Sequence, residues 1–411
     1  MNNSGKIYRK VVITAAIVLV ITILVFSSRQ PTEPKDENSQ YTIGVFSHTE
    51  RMNISYIQTG ELARRDINDF CIVNELPIFF NFTYDCAEDQ PPEALEITER
   101  FHEQGINIIV GYGFSSMLDN VDYYGKNMGV VMVSPSGTNI HRGIYPNIFT
   151  IGPTEPTQMR ALSCLITDCN VSRIIVFKPS QYSRYSIFED TLNASLVDCV
   201  IVEAVPYALS SDYTVPTKYI QSLEEAVQDS MDLGETGVLF TGGAELEGVL
   251  TSALNSSVLC SIKWFATDLA YAKPSFVKDK AVSDTEVFLL REAPLDNIEY
   301  SRLVQRYEDV CGDTESRFQP YLYDALWISA LTLINTGTTC NETIVNEFPA
   351  VAEVYEGVTG NCALDSNNER YSSTYQILCY TISDNHITLW RCGVVNRGKS
   401  IKWLETPIQL E

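Results

Sequence analysis

The sequence has few histidines, few basic residues and no CxxC pair of cysteines. Its four histidines are far apart, and none of its 11 cysteines belongs to a CxxC pair. Because zinc sites need clustered ligands of these types, we expect no metal site. The 29 Lys and Arg against 52 Asp and Glu give a net charge of −23. Such a field repels phosphate backbones, so nucleic acid is not an expected partner; an ordinary acidic surface accounts for the charge equally well.

The motifs of a serine hydrolase are also missing. No G-x-S-x-G occurs, and no histidine follows a predicted strand in a position that indicates a general base. We therefore expect that the protein is not an enzyme, and the sequence indicates no cofactor. With 411 residues and 45% hydrophobic composition, the chain is long enough for two domains with substantial cores.

The amino-terminal segment is typical of membrane targeting. Three basic residues precede Val11 to Phe26, a run that is apolar except for two threonines, and they orient the amino terminus to the cytoplasm. The run is short for a bilayer, so an anchor and a signal peptide are both open. No lipid-bearing Cys or A-x-A site follows it. We expect residues 1–28 to anchor the chain in the cell membrane by a single pass, with the bulk extracytoplasmic, and the polar residues 29–40 to form a flexible stalk.

An extracytoplasmic chain with 11 cysteines is expected to contain several disulfides. Cys379 and Cys392 lie on what we predict to be neighbouring terminal strands, and Cys164 and Cys169 would close a short loop. The odd count leaves at least one thiol unpaired. Beyond the apolar run, N-x-S/T triplets compatible with a glycoprotein begin at Asn53, Asn81, Asn170, Asn193, Asn255 and Asn341.

From Tyr41 onward, short apolar runs alternate with segments of helical periodicity. This alternation predicts an α/β fold in which helices cover parallel sheets, and a second series of units from Pro153 predicts a second lobe. The predicted strands are residues 42–47, 76–82, 106–111, 130–134, 173–178, 199–205, 238–242 and 262–267.

Ligands of open parallel sheets bind beyond the carboxyl ends of the strands, and four loops there carry suitable residues. Ser115 opens a helix, whose free N–H groups favour an anion, although a plain helix cap explains it equally well. In the turn SPSGT, Thr138 can donate to a carboxylate and the Ser136 carbonyl can accept from an ammonium, unless the turn is only structural. Tyr182 has an apolar ring with a polar tip and is suited to close over a ligand; an ordinary surface tyrosine is the alternative. The Asp268 carboxylate is suited to bind a cationic amine; the alternative is that it only caps a helix.

The order and spacing of these loops resemble the branched-chain amino acid (Leu/Ile/Val) ABC transporter substrate-binding branch of the type I periplasmic-binding proteins. The resemblance runs from about Tyr41 to Gly398 and includes IGVF, GYGFSS, SPSGT, NIFTIGPTEPTQMRAL, IIVFKPSQYS, YDALWISALTL and YEGVTGNCALDSNNER. It implies a two-lobed fold in which each lobe is a parallel sheet flanked by helices, and in which the chain crosses between the lobes three times. Lobe 1 would comprise residues 41–152 and 291–357, and lobe 2 residues 153–290 and 358–411.

The resemblance also implies roles for the loop residues. Ser115 and Thr138 match positions that bind the ligand carboxylate, and the Ser136 carbonyl and Asp268 match positions that take its ammonium. Tyr182 matches a family tyrosine, although the glycine that usually follows it is a serine here. The family aromatic expected after residues 238–242 is missing, so the side-chain specificity of the ligand site is expected to differ.

By this resemblance, the protein captures an amino acid or amino-acid-like ligand in an interlobe cleft and delivers it to an ABC transporter permease. The alternative is a ligand-sensing ectodomain that acts through a separate membrane partner, since the same fold serves receptors. A structural surface protein without an occupied cleft is a third hypothesis.

Overall fold

The computed structural model describes residues 39–88, 90–137, 146–180, 185–270, 286–293, 298–311, 319–383 and 386–410. These residues form two compact units. Unit 1 holds the described residues up to Gly152 and from Ile298 to Tyr371, and unit 2 holds the rest. The predicted anchor lies outside the described residues. Of the predicted stalk, residues 39 and 40 already belong to the first strand. Across the described ranges, no helix is long and apolar enough to cross a membrane.

Unit 1 contains a sheet of five parallel strands in the order β2-β1-β3-β4-β5. Its strands are β1 Ser39–Ser47, β2 Ile78–Cys86, β3 Ile108–Val110, β4 Val131–Ser134 and β5 Ile148–Thr150. Successive side chains enter different cores: Val45 and Val133 lie in one, while Phe46 and Met132 lie in the other. Both faces are therefore buried, which explains why these strands are almost continuously apolar.

Unit 2 contains an eight-stranded sheet in the order β15-β14-β13-β10-β9-β8-β6-β7. Its strands are β6 Arg173–Pro179, β7 Val200–Tyr207, β8 Thr236–Phe240, β9 Lys263–Ala266, β10 Glu286–Glu292, β13 Tyr375–Ser383, β14 His386–Asn396 and β15 Ser400–Leu410. Strands β6 to β10 are parallel, which confirms the prediction for β6 to β9, whereas β13, β14 and β15 are antiparallel. The parallel sheet expected for the second lobe is thus extended by three antiparallel strands. The links from β13 to β14 and from β14 to β15 are too short for crossover helices.

Helices cover the sheets of both units, and their ends follow local capping rules. The helices are α1 Glu50–Val73, α2 Pro91–Glu103, α3 Ser115–Met128, α4 Glu155–Asp168, α5 Tyr185–Ser195, α6 Thr217–Met231, α7 Leu246–Ala253, α8 Ser257–Cys260, α9 Ile298–Cys311, α10 Pro320–Thr336 and α11 Asn341–Val354. Helix α1 begins after Thr49, whose side chain accepts from the Met52 N–H. Helix α10 has Pro320 in its first turn and ends at Gly337, which is left-handed with φ 66°.

The predicted boundary between residues 357 and 358 differs from the boundary between the units, which follows Tyr371. The segment between them contains the two-residue strands β11 Glu356–Gly357 and β12 Gly360–Asn361. The buried Arg370 guanidinium donates to the carbonyl of Ile151 at 3.1 Å and to the hydroxyl of Thr359 at 2.7 Å. The carboxylate of Asp324 accepts from the Val358 and Thr359 N–H groups, each at 2.9 Å. These non-local bonds fix the segment to unit 1.

The disulfide between Cys379 and Cys392 is confirmed, and it joins β13 to β14. The predicted loop closed by Cys164 and Cys169 is wrong. Cys164 lies on α4 and Cys169 caps it, so about 100° of rotation per residue sends their side chains to different faces. The Cys164 thiol instead donates to the Gly398 carbonyl at 3.0 Å.

The other cysteines are free: Cys71, Cys86, Cys164, Cys169, Cys199, Cys260, Cys311, Cys340 and Cys362. The structure thus contains one disulfide, and the expectation of several is wrong. Burial raises the pKa of the Cys71, Cys169 and Cys199 thiols to about 11, which keeps them protonated and unreactive at neutral pH.

Thiol counting on denatured, unreduced protein is therefore expected to give nine reactive thiols. Substituting both Cys379 and Cys392 with serine should leave that number unchanged, because those two sulfurs are already bonded to each other. A count of 11 in the unsubstituted protein would show that the β13–β14 disulfide does not form.

Candidate functional site

The carboxyl ends of β1, β3 and β4 lie side by side in unit 1, because these strands are neighbours in a parallel sheet. The loops that follow them therefore meet at one edge, where ligands of such sheets bind. Two predicted site residues, Ser115 and Ser136, come from these loops. Thr138, from the same turn as Ser136, lies outside the described residues.

The loop after β3 is held close to β1 by two glycines. A Cβ at Gly111 would lie 2.6 Å from the ring of Phe46, and one at Gly113 would lie 2.0 Å from the ring of His48. Between them Tyr112 is left-handed, with φ 54°, and its buried hydroxyl is 2.8 Å from that of Thr98. The loop backbone is thus packed into position before any ligand arrives.

The turn after β4 is tied to the same loop by serine hydroxyls. Ser134 donates to the Tyr112 carbonyl at 2.9 Å and accepts from the Gly137 N–H at 2.8 Å. The exposed Ser136 donates to the Gly113 carbonyl at 3.3 Å. The two loops therefore form one rigid rim, and the predicted turn is structural whatever else it does.

Helix α3 begins at Ser115, at this rim. Ser115 is buried, and Phe114 just before it is 42% exposed. The amino terminus of a 14-residue helix offers free N–H groups and the positive end of the helix dipole. Capping and anion binding both remain compatible with this geometry.

An aromatic cluster that the sequence did not predict lies beside the rim. His48 directly follows β1. Its ring packs edge-on against Phe114, with centroids 4.6 Å apart, and against Tyr56, with centroids 5.8 Å apart. Burial raises the pKa of Tyr56 to about 12, and its hydroxyl bonds to Ser136. Tyr56 therefore stays protonated at neutral pH.

In unit 2, Asp268 lies where the sequence predicted, directly beyond β9 and at the start of the 3-10 helix Asp268–Ala270. The amide of Gln158, on α4, donates to its carboxylate at 2.6 Å. The 3-10 helix offers the local alternative of a helix cap. Tyr182 lies outside the described residues.

A second carboxylate stands next to Asp268, and the sequence did not predict it. Glu292 ends β10, which pairs in parallel with β9, and it hydrogen-bonds to Asp268. Burial, and then the charge of Asp268, raise the pKa of Glu292 to about 7, against the opposing charge of Arg291. The rule that located Asp268 would have found Glu292 if β10 had been predicted from the apolar run EVFLL.

The position of the missing family aromatic is filled differently. Beyond β8, the carboxylate of Glu245 accepts from the Tyr207 hydroxyl at 2.6 Å and from the Gly243 N–H at 3.1 Å. A Cβ at Gly242 would lie 2.0 Å from the Tyr207 oxygen. A carboxylate–tyrosine pair therefore occupies this part of the edge. Among the described residues, no group of His, Cys, Asp and Glu could hold a metal ion.

Comparison with known proteins gives one family and many structural neighbours. The family described as "Receptor family ligand binding region" matches residues 61–383. An uncharacterized protein of Methanocaldococcus jannaschii, MJ1266, is 22% identical over 349 residues, which cover 78% of this chain and 81% of that protein.

Two solved structures illustrate the structural likeness. An ABC transporter substrate-binding protein of Desulfitobacterium hafniense, in complex with Leu, matches with a TM-score of 0.63 and 17% identity, over 85% of this chain and 100% of that one. The branched-chain amino acid transporter substrate-binding protein LivJ of Streptococcus pneumoniae, in complex with isoleucine, matches with a TM-score of 0.60 and 12% identity, over 89% and 99%. At these identities the likeness shows the type I periplasmic-binding fold.

The packing of His48 against the rim can be tested with two glycines. Gly113→Ala should lower the free energy of unfolding by about 1–3 kcal/mol, because the new methyl group overlaps the His48 ring. Gly248→Ala, on α7, is the control: a Cβ there meets nothing within 4 Å, so it should stabilise by about 1 kcal/mol. Denaturant unfolding measures both. A Gly113→Ala variant as stable as the unsubstituted protein would contradict the described packing.

Proposed function

This chain belongs to the family described as "Receptor family ligand binding region", and we propose that it is an extracytoplasmic solute-binding protein. It would capture an amino acid or amino-acid-like ligand and deliver it to the permease of an ABC importer. The observation that carries this proposal is the contrast between the two loop edges. The edge of unit 1 offers donors and a helix amino terminus, whereas the edge of unit 2 offers carboxylates.

That contrast matches the two charges of an α-amino acid. Its carboxylate needs N–H and O–H donors, and its ammonium needs anionic or carbonyl acceptors. In this proposal, Ser115 and Thr138 bind the carboxylate, and the Ser136 carbonyl and Asp268 bind the ammonium. Tyr182 closes over the ligand. The Leu and isoleucine named for the two solved relatives support this ligand class.

The exposed ring of Phe114 supports an apolar ligand side chain. It stands at the first residue before Ser115, and His48 holds it by an edge-on contact. An aromatic ring beside the ligand's α-carbon position would favour aliphatic or aromatic side chains through burial of apolar surface. The Glu245–Tyr207 pair of unit 2 would instead favour polar groups.

The remaining parts of the proposal concern location and partners. Residues 1–28 would anchor the protein in the cell membrane, with the units on the outer side and open to glycosylation. The protein would bind its ligand without transforming it, would need no cofactor, and would not bind nucleic acid. The alternative, a ligand-sensing ectodomain with a separate membrane partner, is not favoured by the solved relatives, which are named as ABC transporter substrate-binding proteins. Deleting the gene should reduce uptake of a labelled amino acid if the protein serves import, and should leave uptake unchanged if it only senses.

Calorimetric titration with L-leucine and a panel of other L-amino acids tests the ammonium site. Asp268→Ala should weaken binding by about 2–5 kcal/mol, because it removes the charged partner of a partly desolvated ammonium. Thr138→Ala should cost less, about 1–3 kcal/mol, since other donors to the carboxylate remain. Asp229→Ala, on the exposed face of α6, is the matched control and should bind normally.

Thermal melts of the same variants separate binding from folding. Asp268 is partly exposed beyond a strand end, so its loss should leave the protein folded. If the unsubstituted protein binds an amino acid and Asp268→Ala binds it equally well, the assignment of Asp268 is wrong.

A further inference from the structure

Asp268 and Glu292 lie at the end of the sheet face that α4 covers. Along β9, Trp264 and Ala266 enter one core, and Phe265 enters the core that includes α4. Thr267 continues the second series, because side chains alternate along a strand. On β10, Leu290 enters the same core, and Glu292 follows it by two residues. Thr267, Glu292 and the α4 residue Gln158 therefore converge on one place.

Polar capacity is left over at that place. Thr267 is only 2% exposed, and its hydroxyl has no hydrogen-bond partner within the described ranges. A buried hydroxyl without a partner costs about 1–3 kcal/mol, so it is a group that a ligand can satisfy. Asp268 and Glu292 are both partly exposed and can be reached from outside the unit. The cluster thus combines accessible anionic oxygens with an unsatisfied buried oxygen.

We propose that Asp268 and Glu292 together form a subsite that binds the ligand's ammonium and gives up one proton when it does so. This rests on the proposed function and deepens it, because it adds a second acid and a proton to the capture step. Without ligand, one proton lies between the two carboxyl groups. When the ligand's ammonium enters, the O–H bond of Glu292 breaks, the ammonium keeps its three protons, and the released proton passes to the solvent.

The charges around Glu292 support this exchange. Its own strand supplies Arg291 and the 3-10 helix supplies Asp268, whose charge, added to burial, raises the Glu292 pKa to about 7. From β13, Tyr375 stands opposite Glu292, and its hydroxyl is bound to Thr157 of α4. The nearest charged residues along α4 from Gln158 are Glu155 and Arg160. An incoming ammonium between the two acids would favour the ionised form of both.

Thermal melts without ligand test the shared proton. The pKa of Glu292 is raised in the folded state, so its contribution to stability is present at low pH and is lost as the pH rises through about 7. Glu292→Gln mimics the protonated acid. It should match the unsubstituted protein at pH 4, below the ordinary glutamate pKa of 4.5, and melt at a higher temperature at pH 8. Glu286→Gln, exposed at the other end of β10, is the control and should not show this difference. A Glu292→Gln effect that is the same at both pH values would overturn the shared proton.

Titration with L-leucine in phosphate and in imidazole, two buffers that both work from pH 6 to 8 but differ in ionisation heat, counts the protons released. With a Glu292 pKa of about 7, capture should release most of one proton at pH 6 and only a small part of one at pH 8, and the affinity should be several-fold lower at pH 6 than at pH 8. Glu292→Gln should release none and bind with no such pH dependence. Leucine without its amino group, 4-methylpentanoate, should release none. Binding of L-leucine without proton release would overturn the exchange.

The two arms fail in different ways. An unsubstituted protein that binds no L-amino acid contradicts the proposed function, and with it the role of the pair as an ammonium subsite. The melting curves decide the shared proton by themselves. A protein that binds L-leucine with equal proton release in the unsubstituted, Glu292→Gln and Glu286→Gln forms contradicts only the assignment of Glu292.

Discussion

Burial of both sheet faces is the constraint on which the rest of this structure depends. In each unit, helices cover the parallel strands on both sides, so side chains within the strands are committed to the cores. Polar chemistry is then confined to the loops at the strand ends. The rim around Gly113 and the pair Asp268–Glu292 both lie at such ends. Their positions follow from strand order rather than from any local motif.

The rigidity of these loops is provided by packing rather than by ligand. In unit 1, Gly113 admits the His48 ring and serine hydroxyls link one loop to the next. In unit 2, Gln158 fixes the Asp268 carboxylate through a 2.6 Å hydrogen bond. Groups held in this way lose little conformational entropy when a ligand binds, which favours affinity. The hydrogen bonds that link Asp324, Thr359 and Arg370 likewise fix the last segment of unit 1, just before the chain continues into unit 2.

Much of the fold could be predicted because the information is local. All eight predicted strands are present, since apolar runs bounded by helical segments specify buried parallel strands. The positions of Ser115, Ser136 and Asp268 beyond strand ends were predicted by one rule, that ligands of parallel sheets bind beyond the carboxyl ends of the strands. Features that depend on non-local contacts were missed. Glu292 was missed with its strand β10, Tyr56 resembles a core residue of an amphipathic helix, and the buried bonds of Arg370 have no sequence signature.

The central claim of this account is that the protein captures a small molecule that carries both a carboxylate and an ammonium. Mass spectrometry of the small molecules that copurify with the native protein tests it directly, because a tight ligand survives gentle purification and is released on denaturation. The account predicts that a substantial fraction of the protein molecules carry an α-amino acid. A copurified carbohydrate, or an acid without an amino group, in its place would contradict it.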